Sequence, residues 1–243
     1  MKVDQLRTTK KQNKNMSTED KIEVYCLSGS PFVWRVLFYL EERGIKYEAK
    51  YLDSSKGENK TPEYLKLNPE GKCPTVVHNG TVIYESMAIL EYFDKKFPNS
   101  KLTSEKDEEL AKQLVTIHDW LSNFKMSRKV FGVPADKWDQ KELFEEIENI
   151  QKWFSKLDEK VKDGFLVGDS ISLADIVIFP SLAFSWRLGF DFSNYKNLDK
   201  YVNSLIERSS IKASFPPHWI GTPNKTVLGD FFKQALEIKE KSK

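Results

Sequence analysis

Residues 71–86 read Gly71-Lys72-Cys73-Pro74-Thr75-Val76-Val77-His78-Asn79-Gly80-Thr81-Val82-Ile83-Tyr84-Glu85-Ser86. Two apolar runs, residues 75–78 and 81–84, flank Asn79-Gly80, a dipeptide that accepts the positive φ angles of a two-residue type I′ turn. The stretch therefore predicts a tight β-hairpin. Pro74 stands where the first strand begins, since proline cannot donate to a ladder, and its bond to Cys73 is open to the cis form. After the hairpin, Ser86 precedes Met87, Ile89, Leu90 and Phe93 at helical spacing, which predicts a helix capped by Ser86. The N–H groups of its first turn make an anion site. A strand edge beside a helix N-terminus suits a small peptide that carries a carboxylate.

Upstream, residues 22–27 predict a strand and Ser28-Gly29-Ser30 a turn. Pro31 opens an amphipathic helix to about residue 43, with Ser30 as its cap. Gly44 ends that helix, residues 46–52 give a second strand, and residues 62–67 a short helix. Strand, helix, strand implies a right-handed parallel crossover. The order βαβ, then ββα, is that of a thioredoxin-like fold in which the hairpin completes a mixed four-stranded sheet.

Pro98-Asn99-Ser100 breaks this pattern, and the remainder reads as helix. Leu110, Leu114, Ile117, Leu121 and Phe124 form one apolar stripe; Leu143, Ile147, Ile150, Phe154, Leu157 and Val161 form another. Gly132 and Pro134 separate the two stripes, which predicts antiparallel neighbours. A third helix starts at Ser172-Leu173-Ala174-Asp175, a capping-box arrangement with Asp at its fourth position. Its run 176–182 is apolar on every face, so it belongs at the centre of a domain, with Pro180 as a kink. Residues 198–206 give a further helix, and residues 226–239 a last one after Pro216-Pro217-His218-Trp219. The expected organisation is a basic extension (1–21), an α+β thioredoxin-like domain (22–98), a linker (99–107), an all-α helical-bundle domain (108–222) and a helical tail (223–243).

The formal net charge is +2, which gives no reason to expect nucleic acid as a partner. Residues 1–21 carry six basic and three acidic side chains and no apolar periodicity, the composition of a disordered extension. An organelle transit peptide is the alternative there, opposed by the acidic residues and the single arginine. Two cysteines, Cys26 and Cys73, are too few for a disulfide framework or a zinc site and fit a reducing compartment such as the cytoplasm. His78, His118 and His218 lack ligand spacing, so no metal is expected. No apolar run reaches about 18 residues, so no membrane span is expected either.

The motifs Gly29-Ser30-Pro31-Phe32, Asn68-Pro69-Glu70-Gly71-Lys72-Cys73-Pro74, Ile83-Tyr84-Glu85-Ser86 and Ser172-Leu173-Ala174-Asp175, in this order and spacing, resemble the cytosolic glutathione transferases over residues 22–215. Ser30-Pro31-Phe32 and Asn59-Lys60-Thr61-Pro62 are most similar to the tau class. Tyr84-Glu85-Ser86 and Glu91-Tyr92-Phe93-Asp94 are equally similar to the omega class, which carries Cys where this chain has Ser30. The resemblance implies glutathione as co-substrate, a small hydrophobic electrophile as acceptor, and a symmetric homodimer. It implies Ser30 as the group that stabilises the thiolate, with Tyr25 and Ser28 as runners-up. Phe32, Lys60, Lys72, Cys73, Pro74, Glu85 and Ser86 would then bind glutathione: Ser86 and Glu85 at the γ-glutamyl end, the Cys73 backbone at the cysteinyl portion, and Lys60 and Lys72 at the glycyl carboxylate. Trp120, Phe124 and Arg128 would line the electrophile pocket.

Each assignment has a plainer counterpart. Ser30 and Ser86 are also ordinary helix caps, Lys60 and Lys72 ordinary surface lysines, and Trp120 and Phe124 ordinary core aromatics. Cys26, inside a strand, reads as core. Two other functions fit the same fold: a non-catalytic scaffold module, and a glutathione-dependent thiol transferase, which would want Cys at position 30.

Overall fold

The computed structural model describes residues 20–98, 102, 137–161, 164–220 and 231–241. The chain forms two compact units: Lys2–Leu102 with Glu207–Gly221, and Thr103–Ile206 with Thr222–Lys243.

The first unit contains β1 (Ile22–Cys26), α1 (Pro31–Glu42), β2 (Glu48–Tyr51), α2 (Pro62–Leu67), β3 (Thr75–His78), β4 (Thr81–Tyr84) and α3 (Ser86–Lys96). The strand order is β2-β1-β3-β4, with β1 parallel to β2 and the other pairs antiparallel. This is the mixed thioredoxin-like sheet that the sequence predicts. The hairpin pairs Thr75 with Tyr84 and His78 with Thr81, and Asn79 and Gly80 turn at φ 49° and 85°. The Asn79 N–H donates to the Lys21 carbonyl at 3.1 Å, and its Oδ1 accepts from the Lys21 N–H at 2.9 Å, so the turn is seated beside the start of β1.

Helix α1 is buried from Val33 to Leu40, on more sides than an amphipathic helix against a sheet would be. The reason is a second cover. Helix α7 (Ser209–Ser214) and the turn Pro217–Trp219 pack on it. The Trp34 Nε1–H donates to Ser214 Oγ at 3.1 Å, and its ring meets Phe215 and Trp219 edge-on at 5.4 Å each. Such edge-to-face pairs add about 0.5–1.5 kcal/mol each beyond their buried area. Arg208 pairs with Glu42, which also accepts from Ser210 Oγ at 2.5 Å. The sequence reading carries the helical domain on to residue 222. In the structure Glu207–Gly221 group with the sheet, because their apolar side chains are spent on α1.

Among the described residues, the second unit is helical: α4 (Gln140–Lys160), α5 (Leu173–Arg187), α6 (Lys196–Ile206) and α8 (Phe231–Lys241). The stripe Leu143, Ile147, Ile150, Phe154, Leu157 and Val161 is buried throughout, as its spacing requires. Helix α5 runs through Pro180 and is buried on nearly every side. Its Asp175, 0% exposed, accepts from the Ser172 N–H and hydroxyl, the Leu166 N–H at 3.0 Å and the Tyr201 hydroxyl at 2.7 Å. Burial pushes the Asp175 carboxyl above its usual range even so. The predicted stripe 110–124 and linker 99–107 lie outside the described residues, Leu102 excepted.

Candidate functional site

Ser30 follows the turn Ser28-Gly29, and its N–H donates to the Leu27 carbonyl at 3.2 Å. Pro31 opens α1, where its missing N–H costs nothing. Ser30 Oγ accepts from the Val33 N–H at 3.5 Å, a long cap bond that lies beyond the usual range. An accepting hydroxyl keeps its hydrogen for another partner. Gly29 has φ +82°, and a Cβ there would lie 2.6 Å from His218 Cε1. Ser28 Oγ and His218 Nδ1 stand 2.6 Å apart. Tyr25 packs its ring on Tyr64 with 5.6 Å between centroids.

The loop before β3 is held from beneath. Asn59 Nδ2 donates to the Gly71 carbonyl at 2.7 Å, while Tyr64 Oη and Asn68 Nδ2 donate to the Lys72 carbonyl at 2.6 and 3.0 Å. The Cys73–Pro74 peptide is cis. Cys73 Sγ turns to Tyr64 Oη at 3.1 Å, and burial pushes its thiol up from the ordinary value. Cys26 is fully buried, as a core residue should be. Lys60 Nζ donates to the Glu70 carbonyl at 2.8 Å, and Lys72 Nζ lies 2.5 Å from the Glu70 carboxylate. Both lysines thus gather at Glu70 on the surface.

At the α3 start, the structure corrects one expectation. Glu85, not Ser86, is the N-cap, with φ 69° and ψ 114° and no side-chain cap bond. Ser86 is the first helical residue and is only 5% exposed. Its Oγ accepts instead from Arg35 Nη1 at 2.8 Å. A left-handed φ on a residue with a side chain costs on the order of 1–3 kcal/mol and gathers at functional sites. Arg35 is 1% exposed and lies over the Phe32 ring at 5.8 Å. It is absent from the residues that the sequence nominates, although a lone charge within the apolar run 33–40 is an available signal. His218 is absent from them too, since it lies 190 positions from Ser28.

The structure therefore ties Ser86 through Arg35 to α1, which Ser30 caps and Phe32 belongs to, and lays out Lys72, Cys73 and Pro74 as one loop to which Lys60 donates at Glu70. Trp120, Phe124 and Arg128 lie outside the described residues. Among the described residues no group of three or more His, Cys, Asp or Glu side chains could hold a metal ion. Nor is any described helix long and apolar enough to cross a membrane.

Residues 29–96 match the glutathione S-transferase N-terminal domain, and residues 124–209 the glutathione S-transferase C-terminal domain. Glutathione S-transferase A of Pleuronectes platessa is 35% identical over 209 residues, which span 81% of this chain and 92% of that protein. The chain belongs to the glutathione S-transferase family. Glutathione S-transferase 1 of Dianthus caryophyllus is 33% identical, over 79% of this chain and 90% of its own length. The crystal structure of a glutathione S-transferase from the Antarctic clam Laternula elliptica superposes with a TM-score of 0.76 at 29% identity, and covers 88% of this chain and 99% of the clam protein. Membership accounts for the thioredoxin-like sheet followed by helices.

Proposed function

We propose that this family member is a glutathione transferase that joins the glutathione sulfur to small hydrophobic electrophiles, with Ser30 stabilising the thiolate. The observation that carries the reading is the Arg35–Ser86 bond. It ties α1, which begins at the Ser30 turn, to an α3 start that offers a buried hydroxyl and the N–H groups of a first helical turn. Those N–H groups have no partner within the helix.

In this reading the γ-glutamyl carboxylate sits at the α3 N-terminus. Because Ser86 Oγ accepts from Arg35, its own hydrogen points to the ligand, and the guanidinium adds positive charge behind it. Glu85 takes the amine. The cysteinyl portion pairs with the Cys73 backbone beside Pro74, and Phe32 borders the sulfur. Lys60 and Lys72 meet the glycyl carboxylate. The Lys72–Glu70 pair is exposed, so a ligand carboxylate replaces it at little cost.

The sulfur then faces the start of α1. A hydrogen bond to a charged group is worth roughly 1.5–3 kcal/mol, or about one to two pKa units for a thiol near 8.5. The helix dipole adds to this. Thiolate is then abundant near neutrality. Its lone pair forms the new C–S bond while the acceptor's leaving group departs with its electrons, or while an adjacent π pair takes a proton from solvent. Trp120, Phe124 and Arg128 are the proposed lining for the acceptor. Retention on immobilised glutathione, followed by conjugation of a generic electrophile, tests this reading. A protein that does neither would fit the scaffold alternative.

We also propose a symmetric homodimer, as membership of the glutathione S-transferase family implies. Light scattering at micromolar concentration should give twice the chain mass. A single-chain mass would count against it.

A further inference from the structure

We propose that His218 is a positioning residue for the Ser28-Gly29-Ser30 turn, and so for the hydroxyl that meets the glutathione sulfur. This rests on the reading of that turn as the thiolate site. His218 lies beyond the family match, which ends at residue 209, and nothing in the glutathione assignment uses it.

Three observations converge on it. Ser28 Oγ and His218 Nδ1 are 2.6 Å apart, a short hydrogen bond between two exposed side chains that joins one end of the turn to the ring. The bond holds with either partner as donor. Next, Gly29 leaves room for the ring: a Cβ built there would lie 2.6 Å from Cε1 and 3.1 Å from Nε2 of His218, and 3.0 Å from Trp219 Nε1. The glycine thus serves two purposes, its φ of +82° and the space for the imidazole. Finally, the imidazole is exposed, but the residue that carries it forward from the body is anchored. Trp219, the next residue, is buried and meets both Trp34 and Phe215 edge-on, and Trp34 is held by Ser214. His218 therefore rests on α1 itself through its neighbour and reaches forward to the turn that precedes α1.

The turn needs such a hold. Ser30 makes a cap bond of 3.5 Å, which fixes its hydroxyl weakly. Rate falls steeply with small displacements of a reacting group, by up to about a hundredfold for 1 Å. The family's sheet supplies the site, and the segment after the family match steadies its most loosely held part.

The test compares His218→Ala, His218→Asn and Ser30→Ala in the full chain. The readouts are kcat, the glutathione KM, the ultraviolet thiolate band of bound glutathione at neutral pH, and the melting temperature. Asn is the conservative variant because its Oδ1 reaches the place of Nδ1. His218→Ala should lower kcat about tenfold or more and weaken the thiolate band, with glutathione KM within about twofold and melting little changed. His218→Asn should restore most of both. Wild-type kcat and band in His218→Ala would overturn the proposal. So would His218→Asn as impaired as His218→Ala, since the imidazole would then be needed for its chemistry and not its position. Ser30→Ala separates the two claims: if it behaves as wild type, the Ser30 reading fails, while a lost band in His218→Ala still upholds a role for the turn through Ser28.

Discussion

Two serines at two helix starts are held in opposite ways. Ser30 caps α1 by a bond of 3.5 Å from the Val33 N–H and stays half-buried, whereas Ser86 is buried within α3 and bonded at 2.8 Å by a buried arginine. One serine is an N-cap on a long bond, and the other is a first-turn residue fixed by a buried arginine. In the function proposed above, the difference matches the two ends of glutathione. A carboxylate keeps its charge from binding to product, so its partner is best rigid and backed by charge. A sulfur changes from thiol to thiolate to thioether, so its partner must donate in one state and release in the next.

A third helix start shows what a purely structural serine looks like. At α5, Ser172 donates both its N–H and its hydroxyl inward to buried Asp175, with nothing left for a ligand. Asp175→Ala would strand the Leu166 N–H and the Tyr201 hydroxyl, and should cost on the order of 3 kcal/mol or more of stability. Chemical denaturation checks this, and a loss under about 1 kcal/mol would erase the contrast.

The fixed end comes next. Arg35→Met keeps the bulk of the side chain and removes the donor to Ser86. Glutathione affinity should fall about ten- to a hundredfold by titration, while the thiolate fraction of the bound tripeptide holds. Unchanged affinity would mean that Arg35 braces α3 without serving the ligand.

Much of the fold is legible in the sequence itself. Asn79-Gly80 between two short apolar runs locates the hairpin, and the 3.6-residue stripe of α4 marks its buried face. Three features are not legible there. Glu85 takes φ 69°, and no pattern in the sequence announces that a glutamate will, so the sequence puts Ser86 at the cap position that Glu85 in fact occupies. The bond from Trp34 to Ser214 spans 180 positions, which hides the attachment of Glu207–Gly221 to α1. Arg35 is a lone charge in the apolar run 33–40, but its partner Ser86 lies 51 positions on, so the sequence alone gives it no role.

The smallest effect concerns the N-terminal extension. Its composition has too little apolar surface to pack, so a chain starting at Met16 should melt within roughly a degree or two of the full one. Its glutathione affinity should be unchanged. A larger loss by calorimetry would show that residues 1–15 bear on the body after all.

The contrast between the two serines is tested most directly by conjugation rate against pH, at saturating glutathione, for Ser30→Ala and Ser86→Ala. Ser30→Ala should lose roughly 1.5–3 kcal/mol of thiolate stabilisation, or about ten- to a hundredfold in rate at neutral pH. Its glutathione affinity should hardly change. Its deficit should shrink as pH approaches the free-thiol value of about 8.5, where thiolate forms without help. Ser86→Ala should weaken glutathione binding and leave the pH profile of the saturated enzyme unshifted. A Ser30→Ala protein with wild-type rate and profile would contradict the account and move the role to Tyr25 or Ser28.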